Sequence, residues 1–192
     1  EPHQIRESNG PAVVALLNEH GYTDCERDHL VDDVGILEAR IAKHLDEADV
    51  LILSGGVSMG KADFVPQVLQ KLGVKVVFHK ISQRPGRPMW FGIGPQQQAV
   101  FALPGNPVSV MATFYQFALP AIRKMTGQQA REPLLIQARS SQDLKKAPGR
   151  MEFQRGILQR GPDGQWQVST TGLQGSHLLS SMSKANCFIL LP

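Results

Sequence analysis

The chain has 192 residues, 42% hydrophobic and 19% charged, a composition that supports a packed globular core. Lys and Arg number 20 against 17 Asp and Glu, for a formal net charge of +3. These charges are interspersed, which argues against a nucleic-acid-binding face, and no apolar run approaches the roughly 18 residues of a membrane span.

The two cysteines, Cys25 and Cys187, are too few and too far apart for a disulfide framework. Both are read as free thiols of a reducing compartment, with the cytoplasm as the expected location. The chain begins at Glu1 without an initiating methionine and reads as a fragment or a processed chain.

In chain order, Ser8-Asn9-Gly10-Pro11 is a helix-start signal, with polar capping residues ahead of a proline in the first turn. The helix it opens carries Val13, Val14, Leu16 and Leu17 and stops at Gly21. Asp32-Asp33 precedes a second helical pattern through Ile36, Leu37, Ile41 and Leu45. Residues 49–54, with the continuously apolar run Val50-Leu51-Ile52-Leu53 between Asp49 and Ser54, read as a strand buried on both faces. Gly55-Gly56 breaks it, and a helix follows from Phe64 to Leu72.

Residues 74–81 are strand-like, Pro85-Gly86-Arg87-Pro88 is a turn, and Met89-Trp90-Phe91 is a short strand. Residues 99–103 form a further buried strand, and a long helix runs from Pro107 to Met125. Alternating strands and helices predict an α/β domain around a mostly parallel sheet with helices on both faces. After Gly127 the segments become short, alternating and turn-rich, as in a small antiparallel β-barrel-like domain. The expected division is 1–128 and 129–192.

Three constellations carry chemistry. Ser54-Gly55-Gly56-Val57-Ser58-Met59-Gly60 joins a strand to a helix, where glycines let backbone N–H groups approach an anion and the helix adds positive potential. Its spacing is neither a dinucleotide fingerprint nor a Walker A loop. Asp63 behind it points to a bridging Mg²⁺, or else to a carboxylate favouring the helix dipole. Pro104-Gly105-Asn106-Pro107, followed by Ser109, repeats the strand–glycine–helix pattern, although capping alone also accounts for Asn106 and Pro107. Lys80, Arg84 and Arg87 lie along a stiff Pro/Gly bend suited to gripping a tetrahedral oxyanion; a solvated turn is the bland alternative.

Taken together, SGGVSMGKAD, RPGRP, FALPGNPVS and a helix ending RKMTG closely resemble the molybdopterin molybdenumtransferases, the MoeA family that includes the gephyrin E-domain. The resemblance implies Mg²⁺-dependent insertion of molybdate into adenylylated molybdopterin (molybdopterin-AMP), with release of AMP. It implies that Asp63, Asp32, Lys80 and Arg84 are catalytic, with Asp63 and Asp32 or Asp33 at the metal. Ser54, Gly55, Gly56, Ser58, Gly60, Arg87, Pro104, Gly105, Asn106, Pro107 and Ser109 would bind substrate. Lys61 stands where relatives often carry an acid, and the arginines stand where they often carry lysines.

The resemblance further implies N-terminal domains ahead of Glu1, a homodimer whose cleft spans two subunits, and a molybdopterin adenylyltransferase as donor. The 192 residues alone are then expected to bind oxyanions weakly without turning over. Two rivals remain, the adenylyltransferase itself, which has no use for the last 60 or so residues, and a non-catalytic scaffold of the same fold. Molybdate and tungstate are not distinguished.

Overall fold

A computed structural model describes residues 7–31, 33–56, 64–129 and 132–192. The elements are α1 (Asn9–Glu19), α2 (Val34–Glu47), β1 (Val50–Ser54), α3 (Val65–Lys71), β2 (Lys75–His79), β3 (Gln83–Arg84), β4 (Trp90–Ile93) and β5 (Ala99–Leu103). They continue with α4 (Pro107–Thr113), a π-helical turn (Phe114–Ala118), α5 (Leu119–Met125), β6 (Arg139–Ser140), β7 (Met151–Arg160), β8 (Trp166–Thr170), α6 (Ser180–Ser183) and β9 (Cys187–Leu191).

The first sheet has the order β1-β5-β4-β2. β1 runs parallel to β5, β4 is antiparallel to β5, and β2 is antiparallel to β4. Three of the four strands therefore point the same way, and β4 is the reversed one. β5 sits inside the sheet and is buried along its length, as its unbroken apolar run requires.

Its alternation feeds two cores. Ala99, Phe101 and Leu103 pack with Val13, Leu16, Val110, Phe114 and Leu119 of α1, α4, the π turn and α5. Val100 and Ala102 pack with Leu37, Ile41, Leu45, Val68 and Leu69 of α2 and α3. Helices thus cover both faces, because an interior strand with a period of two must be matched by apolar stripes on each side.

Two expectations need correction. β1 is only half-buried, because it lies at the edge of the described sheet and is not flanked on both sides. The long helix from Pro107 is also not uniform, since α4 and α5 are separated by the π turn. Pro120, early in α5, has no N–H and its ring would crowd the carbonyl one turn back, so the chain widens just ahead of it.

The second sheet has the path β3-β7-β8-β6, with β9 also on β7. The β7–β8 and β7–β9 pairs are antiparallel, as the alternation predicts. The two-residue pairs β3–β7 and β6–β8 are parallel, which it does not. Gly156 lies where β7 passes from its pairing with β9 to that with β8, and a Cβ there would sit 2.6 Å from Ile189 Cγ1.

One ion cluster fastens the connection after α1 to α2. Asp28 Oδ2 accepts from Arg40 Nε at 2.9 Å and Nη2 at 2.6 Å, and lies 2.8 Å from His44 Nε2. The His44 bond first and the Arg40 bonds second hold the Asp28 carboxyl down at about 2, against an ordinary 3.8. A depressed carboxylate pKa stabilises the fold above about pH 4, and that contribution disappears as pH falls through the folded-state value. The stability gap between the parent and Asp28→Asn should therefore shrink as pH falls from 4 to 2, measured by thermal unfolding across that range.

Candidate functional site

β1, β5 and β2 run in one direction, so the turns that follow them emerge along one edge of the first sheet. The register places Ser54 beside Leu103, and Leu53, Trp90 and His79 in the row that contains Ala102. Adjacent strands are about 4.8 Å apart, so the turns after β1 and β5 are immediate neighbours.

The two glycine turns touch. Gly55 N donates to Leu103 O at 3.3 Å, Ser54 Oγ lies 3.5 Å from Pro104 O, and a Cβ on Gly105 would sit 3.6 Å from Gly55 Cα. Gly55 and Gly56 both have positive φ, 91° and 66°, and a Cβ on Gly56 would stand 2.7 Å from Val65 Cγ2 at the start of α3. The second glycine is needed twice over, for its backbone conformation and for the close approach of α3.

Pro104 is buried beneath the second turn, whereas Gly105 and Asn106 are exposed and Pro107 is half-buried. Asn106 holds the N-cap position of α4 with an extended backbone but makes no side-chain cap bond. Ser109 is buried in the first turn of that helix. One first-turn amide, Val108 N, is already taken, donating to Ser176 O of the second sheet's loop at 3.1 Å.

The cationic bend from Lys80 to Pro88 belongs to both sheets. It leaves β2 and returns as β4, and in between β3 pairs with β7 at Gln83↔Met151 and Arg84↔Glu152. Lys80 N donates to Met89 O at 2.8 Å and Ile81 N to Arg87 O at 2.9 Å, which closes the bend. Lys80 has φ 69°, a left-handed conformation for a residue with a side chain, of the kind that concentrates at functional positions.

Gly86, at φ 116°, packs against α4, where a Cβ would lie 2.6 Å from Thr113 Cγ2. Lys80, Ser82 and Arg87 then line one side of a cleft of about 450 Å³, with Pro148, Gly149 and Arg150 opposite. Among the described residues no carboxylate lines it. Arg84 turns elsewhere, its Nη1 lying 3.8 Å from Glu152 Oε2.

Of the expected site residues, Ser54, Gly55, Gly56, Pro104, Gly105, Asn106 and Pro107 are therefore brought together. Lys80 and Arg87 share a cleft on the same edge of the sheet, and Arg84 pairs with the second sheet. Asp33 is exposed and its carboxylate accepts from Ile36 N at 2.9 Å as the N-cap of α2. Asp32, Ser58, Gly60, Lys61 and Asp63 lie outside the described residues.

Three residues went unmarked by pattern reading. Arg150 follows a Pro-Gly turn, a sequence signal only of a bend. Arg155 is 1% exposed in β7, with Nε donating to Ser181 Oγ at 3.0 Å and Nη2 to Gly175 O at 3.1 Å. Burial pulls the Arg155 pKa below its usual range, while Glu152 opposes that. Gly175 precedes the residue that caps Val108, so this buried cation is tied to the start of α4. The signal available was an arginine at an inward position of an alternating strand. The third is Asn9, read only as a helix-start residue, whose amide reaches both glycine turns.

Among the described residues no three His, Cys, Asp or Glu side chains converge on a metal-sized space, and the described carboxylates do not compose a Mg²⁺ site. No described helix is long and apolar enough to cross a membrane.

Because Gly86 has both positive φ and a methyl group against it, Gly86→Ala should cost about 1–3 kcal/mol. Urea unfolding checks this, and an unchanged midpoint would show that the bend is not packed on α4.

Residues 2–124 match the family described as the probable molybdopterin binding domain, and residues 137–192 the MoeA C-terminal region (domain IV). A molybdopterin molybdenumtransferase of Haemophilus influenzae is 44% identical over 197 residues, covering 98% of this chain and 46% of its own length. Gephyrin of Dictyostelium discoideum is 32% identical, covering 98% of the chain and 30% of its own length. A MoeA molybdopterin biosynthesis protein of Pyrococcus horikoshii superposes with a TM-score of 0.74 at 28% identity, over 100% of this chain and 43% of that one. The chain thus spans about half the length, or less, of these relatives.

Proposed function

This chain belongs to the molybdopterin-binding domain family, with the MoeA C-terminal region following, and on that premise we propose that it is part of a molybdopterin molybdenumtransferase. The reaction is insertion of molybdate into adenylylated molybdopterin, with AMP released. The observation that carries the reading is the contact between the two glycine turns, Gly55 against Gly105, at the carboxyl edge of parallel strands, where ligands of open α/β sheets settle.

In this reading, the backbone of Gly55, Gly56 and Gly105, with Ser54, Ser58 and Gly60, orients the phosphate-bearing substrate. Pro104, Asn106, Pro107 and Ser109 shape the second wall. Lys80 and Arg87 neutralise the oxyanion, and Arg150 adds a third cation from the second sheet. Arg84 is divided between the oxyanion and Glu152.

Mg²⁺ is assigned to Asp63 and Asp32, because Asp33 is already engaged as a cap. Residues 1–128 form the nucleotide-binding unit and 129–192 the small β unit. The full-length protein is a cytoplasmic homodimer supplied by a molybdopterin adenylyltransferase, and the 192 residues alone bind ligand without turnover.

Two measurements test this. In the full-length protein, Lys80→Ala and Asp63→Ala should each lower cofactor formation from molybdate and adenylylated molybdopterin by about 100-fold or more, with AMP release falling in parallel. Calorimetry on the 192-residue chain should show weak heats with AMP and with molybdate, the latter lost in Lys80→Ala. Full-length rates from the short chain, or no effect of Lys80→Ala, would overturn the assignment.

A further inference from the structure

The Asn9 side chain bonds to both glycine turns. Its Nδ2 donates to Gly105 O at 2.7 Å and to Ser54 Oγ at 2.9 Å. The orientation of the amide is fixed, since a carbonyl oxygen only accepts and so must face the nitrogen. Ser54 Oγ in turn reaches Pro104 O, which extends the link along the second turn.

Asn9 Oδ1, by contrast, is buried and has no partner among the described residues. Helix capping does not explain this arrangement. A capping asparagine offers its oxygen to first-turn N–H groups, whereas here the oxygen makes no bond among the described residues and the N-cap position is Ser8. A fold that leaves a buried acceptor unsatisfied while engaging both amide protons is keeping the residue for its donors.

We propose that Asn9 is a positioning residue, a latch from the start of α1 that holds the turn after β1 against the turn after β5 and so sets the spacing of the two anion-binding loops. The proposal rests on reading those loops as the nucleotide and oxyanion site. Ala removes both ends of the amide. Asp is nearly isosteric and keeps an oxygen, but it removes the donor and faces Gly105 O with a second acceptor.

The test compares the parent 192-residue chain with Asn9→Ala and Asn9→Asp by circular dichroism, amide hydrogen exchange and calorimetry with AMP. The Gly55 amide, bonded to Leu103 O, reports the junction directly. Both variants should keep the parent's dichroism and its exchange pattern in β7–β9. The Gly55 amide should exchange at least about tenfold faster and AMP affinity should fall about tenfold, with Asp no better than Ala.

Unchanged Gly55 exchange, or parent-like AMP binding by Asn9→Asp, overturns the latch. Should the parent itself not bind AMP, the nucleotide reading falls, and the Gly55 amide then decides the latch alone. If Asn9→Ala fails to fold, Ser54→Ala, which removes the hydroxyl end of the link, is judged by Gly55 amide exchange alone, because Ser54 is itself read as a substrate contact: faster exchange supports the latch and parent-like exchange overturns it.

Discussion

The parallel ladder between β1 and β5, from Val50↔Ala99 to Ser54↔Leu103, is the interaction on which the rest of the structure depends. It brings together strands separated by some fifty residues and ends both at the same height. Each strand then meets a glycine where the chain must leave the sheet. Because paired strands lie about 4.8 Å apart, the two glycine turns have no choice but to touch. Any side chain larger than hydrogen at Gly56 would strike Val65, so only glycine lets the turn pack this closely on α3. The cores serve this ladder, with Phe101 and Leu103 anchoring β5 to the α1 and α4 side and Val100 and Ala102 to the α2 and α3 side.

The second constraint is the bend between β2 and β4. It is closed by Lys80 and Ile81 amides, pressed on Thr113 through Gly86, and paired with β7 through Gln83 and Arg84. One short segment therefore contacts the first sheet, the helix that opens at the second glycine turn, and the second sheet. The cleft between Lys80, Arg87 and Arg150 follows from that three-way fastening. So does the placement of Arg155, which holds Gly175 while the neighbouring Ser176 carbonyl takes an amide of α4. The second sheet reaches the candidate site through the loop that carries Arg150 and through β3, the short strand that carries Arg84.

Much of this was legible in the chain. The period of the apolar residues predicts α2 and α3, and Gly and Pro punctuation marks where β1 and β5 end, because those residues alone tolerate or impose the required backbone. The glycine turns were legible for the same reason. Edge and interior strands were not separable, since Val50–Leu53 and Ala99–Leu103 are equally apolar, and only neighbours decide that β1 is half-buried while β5 is sealed. The π turn before Pro120 was likewise hidden inside a helical pattern.

The sequence by itself determined the local chemistry: which segments are apolar with which period, where the backbone must turn, and which residues carry charge along a stiff bend. These depend on interactions within a few residues. Tertiary structure alone decided the partners. It sent Arg84 toward Glu152 and Arg87 into a cleft with Arg150, buried Arg155 against Ser181, and turned Asn9 from a helix start into a bridge between two loops. The physical reason is that a hydrogen bond or ion pair between residues tens of positions apart leaves no trace in local periodicity, and exists only once the sheet has brought its ends together.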